Sequence, residues 1–513
     1  MQDIQEYLPR PQRVAVMFIV VIASVMQILD TTIANVALPH MQSALGASQE
    51  QISWVITSYI VATAITIPAT GFLEGWLGRR NLFLMSIAGF TISSALCGIA
   101  GSMSMMIAAR VLQGVFGAAI MPLGQSILFD VAKPEERPQS MAIWGLGLMI
   151  GPVCGPLLGG WLTENFSWRW VFFINVPIGI MVLVSAASLL DRGKAVFRVL
   201  DWRGYAMIAI GIASFQLALD RGTENDWFDS VEIIVEFGIA AAAFWMFTVH
   251  TMTAKAPLIA RDVLKDRNIL IACVLTIIIS GSMMAGATFL SLMLQSLFGY
   301  GTIDAGLMAA PRGLAMAICM PLVSRLMAFV DSRIMIALGL SLVTVGFVIM
   351  SGFSLQMDNH LVIIAGVIQG LGFGFVMIPT NLLALSTLNA IYRTEGASLM
   401  SLARSIGGSV VIALGTASVA RTVQISHNDI GANVTPETMP MLNAGLFEQL
   451  GIRGEAVMGM INMEVNRQSL MIAYIDIFWV MIWVTAVTVP MLFFTRKIVF
   501  DGSQDRQMAA DAH

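Results

Sequence analysis

The sequence predicts an all-α protein that crosses a membrane many times, and three observations carry that reading. Of 513 residues, 57% are hydrophobic and 12% charged, with a mean hydropathy of +0.79, whereas soluble domains carry about 25% charged residues. Apolar runs of roughly 18 residues or more, long enough to span a bilayer, begin near Val14, Ile52, Leu82, Ser104, Gln139, Trp168, Gly204, Val231, Asn268, Ile303, Arg333, His360, Glu395 and Leu470. Lysine and arginine gather on alternate segments between these fourteen runs, as the positive-inside rule requires.

Taken in order, the chain opens with residues 1–13, whose Arg10 and Arg13 precede an apolar run from Val14 to Leu38. That run is too long for a removable signal sequence and reads as an uncleaved first span. Residues 14–190 then hold six spans, with Arg79, Arg80, Lys133 and Arg137 on the inner side. A shorter pair of spans occupies 204–253, and a second set of six occupies 268–494, before an inner tail at 495–513. Only Arg169, Arg221, Arg421, Arg453 and Arg467 fall on outer segments, so both termini are expected to be cytoplasmic. Gln113-Gly114 and Arg137 recur as Gln369-Gly370 and Arg393, each 256 residues on, and Pro122 is echoed by Pro379, one residue out of step. Such parallel halves are a common plan for secondary transporters. One extramembrane stretch is long, 420–469 on the outer side, with turn chemistry at Asn428-Asp429-Ile430-Gly431 and a segment from Met441 to Val465 capable of forming a helix.

Composition also excludes. The net charge of −4 points to no nucleic-acid partner. Cys97, Cys154, Cys273 and Cys319 all lie in apolar runs, without disulfide or metal spacing, and no HExxH pattern occurs among the five histidines. No GxxxxGK[ST] cradle for a nucleotide is present. An enzyme is not expected, nor a metal or cofactor, and transport would draw on an ion gradient.

Ionisable groups within apolar spans cost several kcal/mol unless paired, and so mark function. Asp30 lies deep in the first span, in Leu29-Asp30-Thr31-Thr32-Ile33-Ala34-Asn35-Val36-Ala37-Leu38-Pro39. Gln27, Asp30 and Ala34 share one helical face and Thr31 and Asn35 the adjoining one, a polar stripe that must face the bundle interior. Burial favours the neutral form of such a carboxylate, which suits a proton carrier; permanent pairing to a buried arginine is the alternative. Arg110 and Gln113 in the fourth span can hold that carboxylate or expel its proton, because a guanidinium keeps its charge. Arg312 and Arg404 lie at comparable depth in the second half, and Arg404, among the small residues of Ser401 to Ser409, joins the proton-coupling set. Trp144, Gln295, Asn381 and Asp476 join Gln27, Thr31 and Asn35 as candidate lining of a substrate cavity, although Asp476, near Tyr474 and Trp479, suits an aromatic belt equally well.

Two further stretches stand out. Gly151, Pro152, Gly155, Pro156, Gly159 and Gly160 sit inside one apolar run. In a soluble helix each such Gly would cost about 1 kcal/mol and each interior Pro about 3. In a membrane, glycines spaced i, i+4, i+8 form a stripe where another backbone can approach. The stripe is either a tight helix crossing or a bent helix sealing one half against the other. The second stretch runs from Gly71 to Arg80: Gly71 and Gly78 shape a tight inner turn, and Arg79 and Arg80 anchor it. With Asp130, Glu135, Glu136 and Arg137 in the next inner loop, it forms either an inward gate or a plain positive-inside turn.

Together these stretches resemble the major facilitator superfamily, and within it the fourteen-helix drug:proton antiporters of the EmrB/QacA type. Residues Leu29 to Pro39 look like that group's opening motif. Arg110-Val111-Leu112-Gln113-Gly114 looks like its RxxQG proton-relay motif, and Gly151 to Gly160 like its GPxxGG antiporter motif. Trp168 to Pro177 and Leu219-Asp220-Arg221-Gly222 resemble further marks of the EmrB branch, and the likeness extends from about Gln12 to Lys497. One departure is plain: the inner turn should read roughly GxLxDRxGRR, and Gly75 and Trp76 replace its Asp and Arg. Glu74 is expected to point elsewhere, leaving the usual gate salt bridge in doubt.

The resemblance implies two six-helix bundles with an extra helix pair between them, and a proton-driven multidrug efflux permease with no cofactor. It further implies a bacterial inner-membrane location, a periplasmic adaptor and an outer-membrane channel as partners, and contact of the adaptor with the 420–469 segment. Export of a specific metabolite, fatty acid or siderophore is the runner-up, and a sensor or scaffold that lost transport is a third reading.

Overall fold

The computed structural model describes residues 8–190, 200–434 and 454–495. Outside them lie Arg192, Lys194 and Arg198, expected on the inner side, the tail beyond Thr495, and residues 435–453 with Arg453, expected on the outer side, together with the side chains of Pro152 and Pro156. The described chain is helical and contains no strand.

Among the described residues, twelve helices are long and apolar enough to cross a membrane. These are α1 (Arg10–Leu45), α2 (Gln49–Leu77), α3 (Arg79–Ile99), α4 (Met103–Val131), α6 (Trp170–Leu189), α8 (Val231–Thr253), α9 (Arg267–Phe298), α10 (Asp304–Leu326), α11 (Ser332–Ser351), α12 (Asn359–Ser386), α13 (Ala390–Ala432) and α14 (Met458–Phe494). Between them in sequence run α5 (Arg137–Asn165), itself apolar and long, and α7 (Trp202–Arg221), where Arg203, Gln216, Asp220 and Arg221 dilute the apolar character. Long runs of Leu, Ile, Val, Ala and Met make all of these helices. The ends are fixed locally: Ser48 and Gln51 form a capping box before α2, and the Asp266 carboxylate accepts from the N–H groups of Asn268 and Ile269 before α9. Gly46 and Gly299 close α1 and α9 with φ of +62° and +69°, a conformation glycine adopts without a Cβ clash.

Packing repeats between the halves. α1 lies on α5 as α9 lies on α13; α2 on α4 as α10 on α12; α3 on α4 as α11 on α12; and α3 on α6 as α11 on α14. The sequence repeat is therefore a structural one. Across the interface α5 meets α10 and α12, while α4 and α2 meet α13. The pair α7–α8 stands outside this scheme, with α7 against α2 and α13 at one edge of the interface.

The expected long outer loop 420–469 is shorter than the hydropathy suggested. The helix of α13 continues to Ala432, and helix resumes at Gly454 ahead of α14. Residues such as Arg421, His427 and Arg467 end apolar character without ending helical hydrogen bonding, so both helices project past their apolar parts.

Candidate functional site

The glycine stripe of α5 sets the position of α1. A Cβ on Gly151 would collide with Ile28, one on Gly155 would lie 2.7 Å from Thr32 Cβ, and one on Gly159 would lie 3.2 Å from the Ile33 carbonyl. The Thr32 hydroxyl donates to the Gly151 carbonyl at 3.1 Å. The stripe is thus a tight crossing within the first half, not the seal between halves. Its opposite neighbour Gly145 faces Met320 of α10, and that is where α5 meets the second half. Gly160 faces open space.

This crossing presents Asp30 to α4 and α6. Arg110 Nη1 donates to Asp30 Oδ2 at 2.6 Å, and Gln113 Nε2 and Asn175 Nδ2 both donate to Oδ1 at 2.7 Å. Arg110 Nη1 also reaches Gln113 Oε1 at 2.7 Å, and its Nε reaches the Val55 carbonyl at 2.9 Å. The Tyr59 ring lies 4.2 Å from the guanidinium carbon. Asp30 and Arg110 are wholly inaccessible. Three donors therefore converge on one carboxylate in a site closed to solvent.

In the sequence Asn175 stood out only within the stretch Trp168 to Pro177, Cys97 only as a cysteine in an apolar run, and Tyr59 and Ser94 not at all. Asn175 Nδ2 also donates to Ser94 Oγ, and Cys97 Sγ to Gln113 Oε1 at 3.6 Å. The signal available in the sequence was a lone Asn inside the apolar run of the sixth span.

The second half carries the same site without its acid. The residues 256 positions on from Asp30, Arg110 and Gln113 are Gly286, Gly366 and Gln369. A Cβ on Gly286 would lie 2.9 Å from Arg312 Nη1 and 3.0 Å from Gln369 Oε1. The guanidinium comes instead from α10: Arg312 occupies the place that Tyr59 has against Gly114, because the Gly370 and Gly114 Cβ positions abut the backbone oxygens of Arg312 and Tyr59 respectively. Gln369 Nε2 donates to Met350 Sδ at 3.5 Å, the counterpart of Cys97 and Gln113.

Polar contacts between halves concentrate where α2 and α4 end and α13 begins. Asp130 of α4 joins Arg79 Nη1 at 2.6 Å and Arg393 Nη1 at 2.5 Å. Arg79 Nε reaches Glu74 at 2.6 Å. The expectation that Glu74 would point elsewhere is therefore corrected: the helix of α2 continues to Leu77, and its last turn brings Glu74 back to Arg79 across Gly78, whose φ of +79° makes the turn. Arg80 instead caps a carbonyl of α6, at Ala187. Gly71 lets Glu395 of α13 approach closely, and Thr394 donates to Ser126 at 2.9 Å. Gln125 and Asn381, themselves 256 residues apart, share a 3.1 Å hydrogen bond where the pseudo-symmetric halves touch.

The expected cavity residues divide. Trp144 is buried between the halves, with Nε1 donating to Ser24 Oγ at 3.1 Å, and 5.5 Å separates its ring from the Arg404 guanidinium carbon. Gln27 is buried and its Oε1 has no partner among the described residues. Thr31 is half-buried and Asn35 exposed. Gln295 is half-buried and bonds Ser291 within α9. Asn381 belongs to the closed end. Asp476 is exposed, on a stripe of α14 that also carries Ile472, Trp479, Val480 and Trp483. Arg404 makes no contact with Asp30 or Arg110, so the structure does not bring the four expected proton-coupling residues together.

The comparisons agree with this geometry. The model of the Major Facilitator Superfamily matches residues 20–412. Multidrug export protein EmrB of Escherichia coli (strain K12) is 34% identical over 93% of this chain and 94% of its own length. Fatty acid resistance protein FarB of Neisseria gonorrhoeae is also 34% identical, over 89% and 91%. Among solved structures, the proton:xylose symporter XylE superposes with a TM-score of 0.62 across 98% of this chain and 99% of that one, at 11% identity, a likeness of fold alone.

Proposed function

This chain belongs to the Major Facilitator Superfamily, a family of transporters, and from that premise we propose that it is a proton-coupled multidrug efflux permease of the EmrB type. The observation that carries the reading is the sealed cluster of Asp30, Arg110, Gln113 and Asn175, set beside relatives whose names describe multidrug export. In the proposed cycle, protonation of Asp30 frees Arg110 and loosens α1 from α4 and α6. Rocking of the halves then opens the space between them to the other side. Deprotonation restores the ion pair.

The proposal includes fourteen spans, with α5 and α7 crossing the bilayer alongside the twelve strongly apolar helices. It places both termini in the cytoplasm, so the Arg79–Asp130–Arg393 lock is the cytoplasmic gate and the conformation is closed on that side. A proton moving inward releases about 2.3 kcal/mol per 100 mV and about 1.36 kcal/mol per pH unit. One proton thus supports a drug gradient of tens- to hundreds-fold, since tenfold needs about 1.4 kcal/mol. An inner-membrane site of action, with a periplasmic adaptor docked near the projecting ends of α13 and α14 and an outer-membrane channel beyond it, follows from the same reading.

The test is efflux of a fluorescent drug from proteoliposomes under an imposed pH gradient. Asp30→Asn is expected to abolish gradient-driven efflux while leaving drug binding measurable; undiminished coupling in that variant would remove Asp30 from the mechanism. The name of the FarB relative supports a second reading, export of fatty acids. Competition between a fatty acid and the drug for efflux separates the two.

A further inference from the structure

The flank of the first half that carries α7 is not flush. Both α4 and α7 pack on α2, and between them, over α2, runs a groove of about 620 Å³. Its floor is Ser58, Ala62, Thr66 and Ala69, small side chains at helical spacing on one face of α2. The Thr66 hydroxyl is turned back to the Ala62 carbonyl at 2.8 Å, which leaves its methyl to the groove. Val111 and Val115, each 39% exposed, make the α4 wall, and Leu217 and Tyr205 the α7 wall. Eleven residues separate Ser58 from Ala69, about 17 Å along a helix. Half of a bilayer's hydrocarbon core is about 15 Å, so the trough has the length of a single leaflet.

Its two ends differ. Beside Ser58, the Thr57 hydroxyl bonds Asp220 and ties α2 to α7, which makes that end blind. At the other end, the end of the Arg79–Asp130–Arg393 lock, α7 opens with Trp202, Arg203 and Tyr205. Trp202 is 65% exposed, its ring lies 6.0 Å from that of Tyr205, and both line the groove. Arg203 is exposed in the same turn. Among the described residues the Arg203 guanidinium, the Trp202 indole N–H and the Tyr205 hydroxyl bond to nothing. The acids of the neighbouring turns are engaged: Asp201 by the Gly204 N–H, His250 and the Leu258 N–H, and Glu74 by Arg79.

An apolar trough left empty forfeits dispersion contacts along its walls, and water finds too few polar partners to fill it. A hydrocarbon tail fits, but lipid tails are as apolar as the walls and supply no selectivity. Selectivity comes from the donor end. Trp and Tyr sit at head-group level, and an unpaired arginine beside them favours a phosphate that carries net negative charge. We propose that this groove is the site of one anionic phospholipid from the leaflet at the lock end. Its phosphate meets Arg203, Trp202 and Tyr205, and one acyl chain lies over Ala69, Thr66 and Ala62 towards Ser58. The lipid completes the packing of α7 against the first half, and nothing in this depends on Asp30 or on the cargo.

Native mass spectrometry of the full chain released from detergent tests the site, with dioleoyl phosphatidylglycerol, dioleoyl phosphatidylcholine and glycerol 3-phosphate as probes. The first lipid retained should be phosphatidylglycerol, favoured over phosphatidylcholine by about fivefold, the usual contribution of one basic residue beside an anionic membrane surface. Glycerol 3-phosphate should not be retained. Arg203→Gln should erase the preference and leave phosphatidylcholine binding as it was. Val115→Trp, which fills the groove from its exposed wall, should lower retention of both lipids by at least about fivefold. Melting in lipid-free detergent checks the fold of each variant, and Arg203→Gln alone decides if the bulkier one melts lower. A preference that survives Arg203→Gln, or full lipid retention in a folded Val115→Trp, overturns the site. So does glycerol 3-phosphate held as firmly as the lipid, which marks a bare anion site. A dimer that forms in place of lipid binding gives this flank to a second copy and overturns it equally.

Discussion

Asn175 gives Asp30 its third hydrogen bond and ties α6 to the Asp30–Arg110 cluster. Replacing it with Leu leaves Asp30 Oδ1 with one donor and also strips a partner from Ser94. We expect that variant to lose about 1–3 kcal/mol of stability, the cost of an unsatisfied buried group, and to efflux drug more slowly. Thermal unfolding in nanodiscs and the proteoliposome assay measure the two effects. Arg110 and Gln113 were legible in the sequence because their i, i+3 spacing puts both on one face of α4. Asn175 was not, since nothing local says which of many polar residues in apolar spans will meet a carboxylate from another helix. Glu74 was misjudged for a similar reason: its direction depends on where α2 ends, and only the Gly78 turn decides that.

At the scale of elements, the α5 stripe makes a graded forecast. Gly155→Ala pushes a methyl into Thr32 and should destabilise by about 1–3 kcal/mol, as overpacking does, whereas Gly160→Ala meets nothing within 4 Å and should be neutral. Melting temperatures of the two variants decide it. A sequence motif treats those glycines as equals; the crossing of α1 separates them. The start of α7 gives a pH forecast. Burial alone would raise the pKa of Asp201, but the Gly204 N–H, His250 and the Leu258 N–H outweigh it and hold the carboxyl below its ordinary value of 3.8. A depressed carboxyl stabilises above its unfolded-state pKa and loses that contribution as pH falls through its folded one. The clasp joining α7, α8 and the following segment should therefore hold above pH 3.8 and release only below it. Asp201→Asn should weaken it at neutral pH, read as increased amide exchange at Leu258.

For the whole molecule, the conformation shown is closed at the Arg79–Asp130–Arg393 lock. Asp130→Asn should shift the population towards opening at that end, measured as a longer spin–spin distance between labels on α4 and α13; an unchanged distance distribution would leave the lock without a gating role. The two-half plan was readable from hydropathy and the 256-residue echo of Gln113-Gly114. The unequal chemistry of the halves was not, because Gly286 reveals itself as the counterpart of Asp30 only when Arg312 and Gln369 are seen crowding it.

The helix α7 holds both halves at once: Asp220 engages Thr57 of α2, and Gln216 donates to Ser409 of α13 at 2.9 Å. The opposite flank, where α5 meets α10, has no such strap among the described residues. Separation of the lobes must then be lopsided, a wedge widening away from α7, like a door with hinges on one jamb. Molecules leaving sideways into lipid would pass between α5 and α10, and cross-linking α7 to both neighbours should slow turnover far less than stapling that free flank.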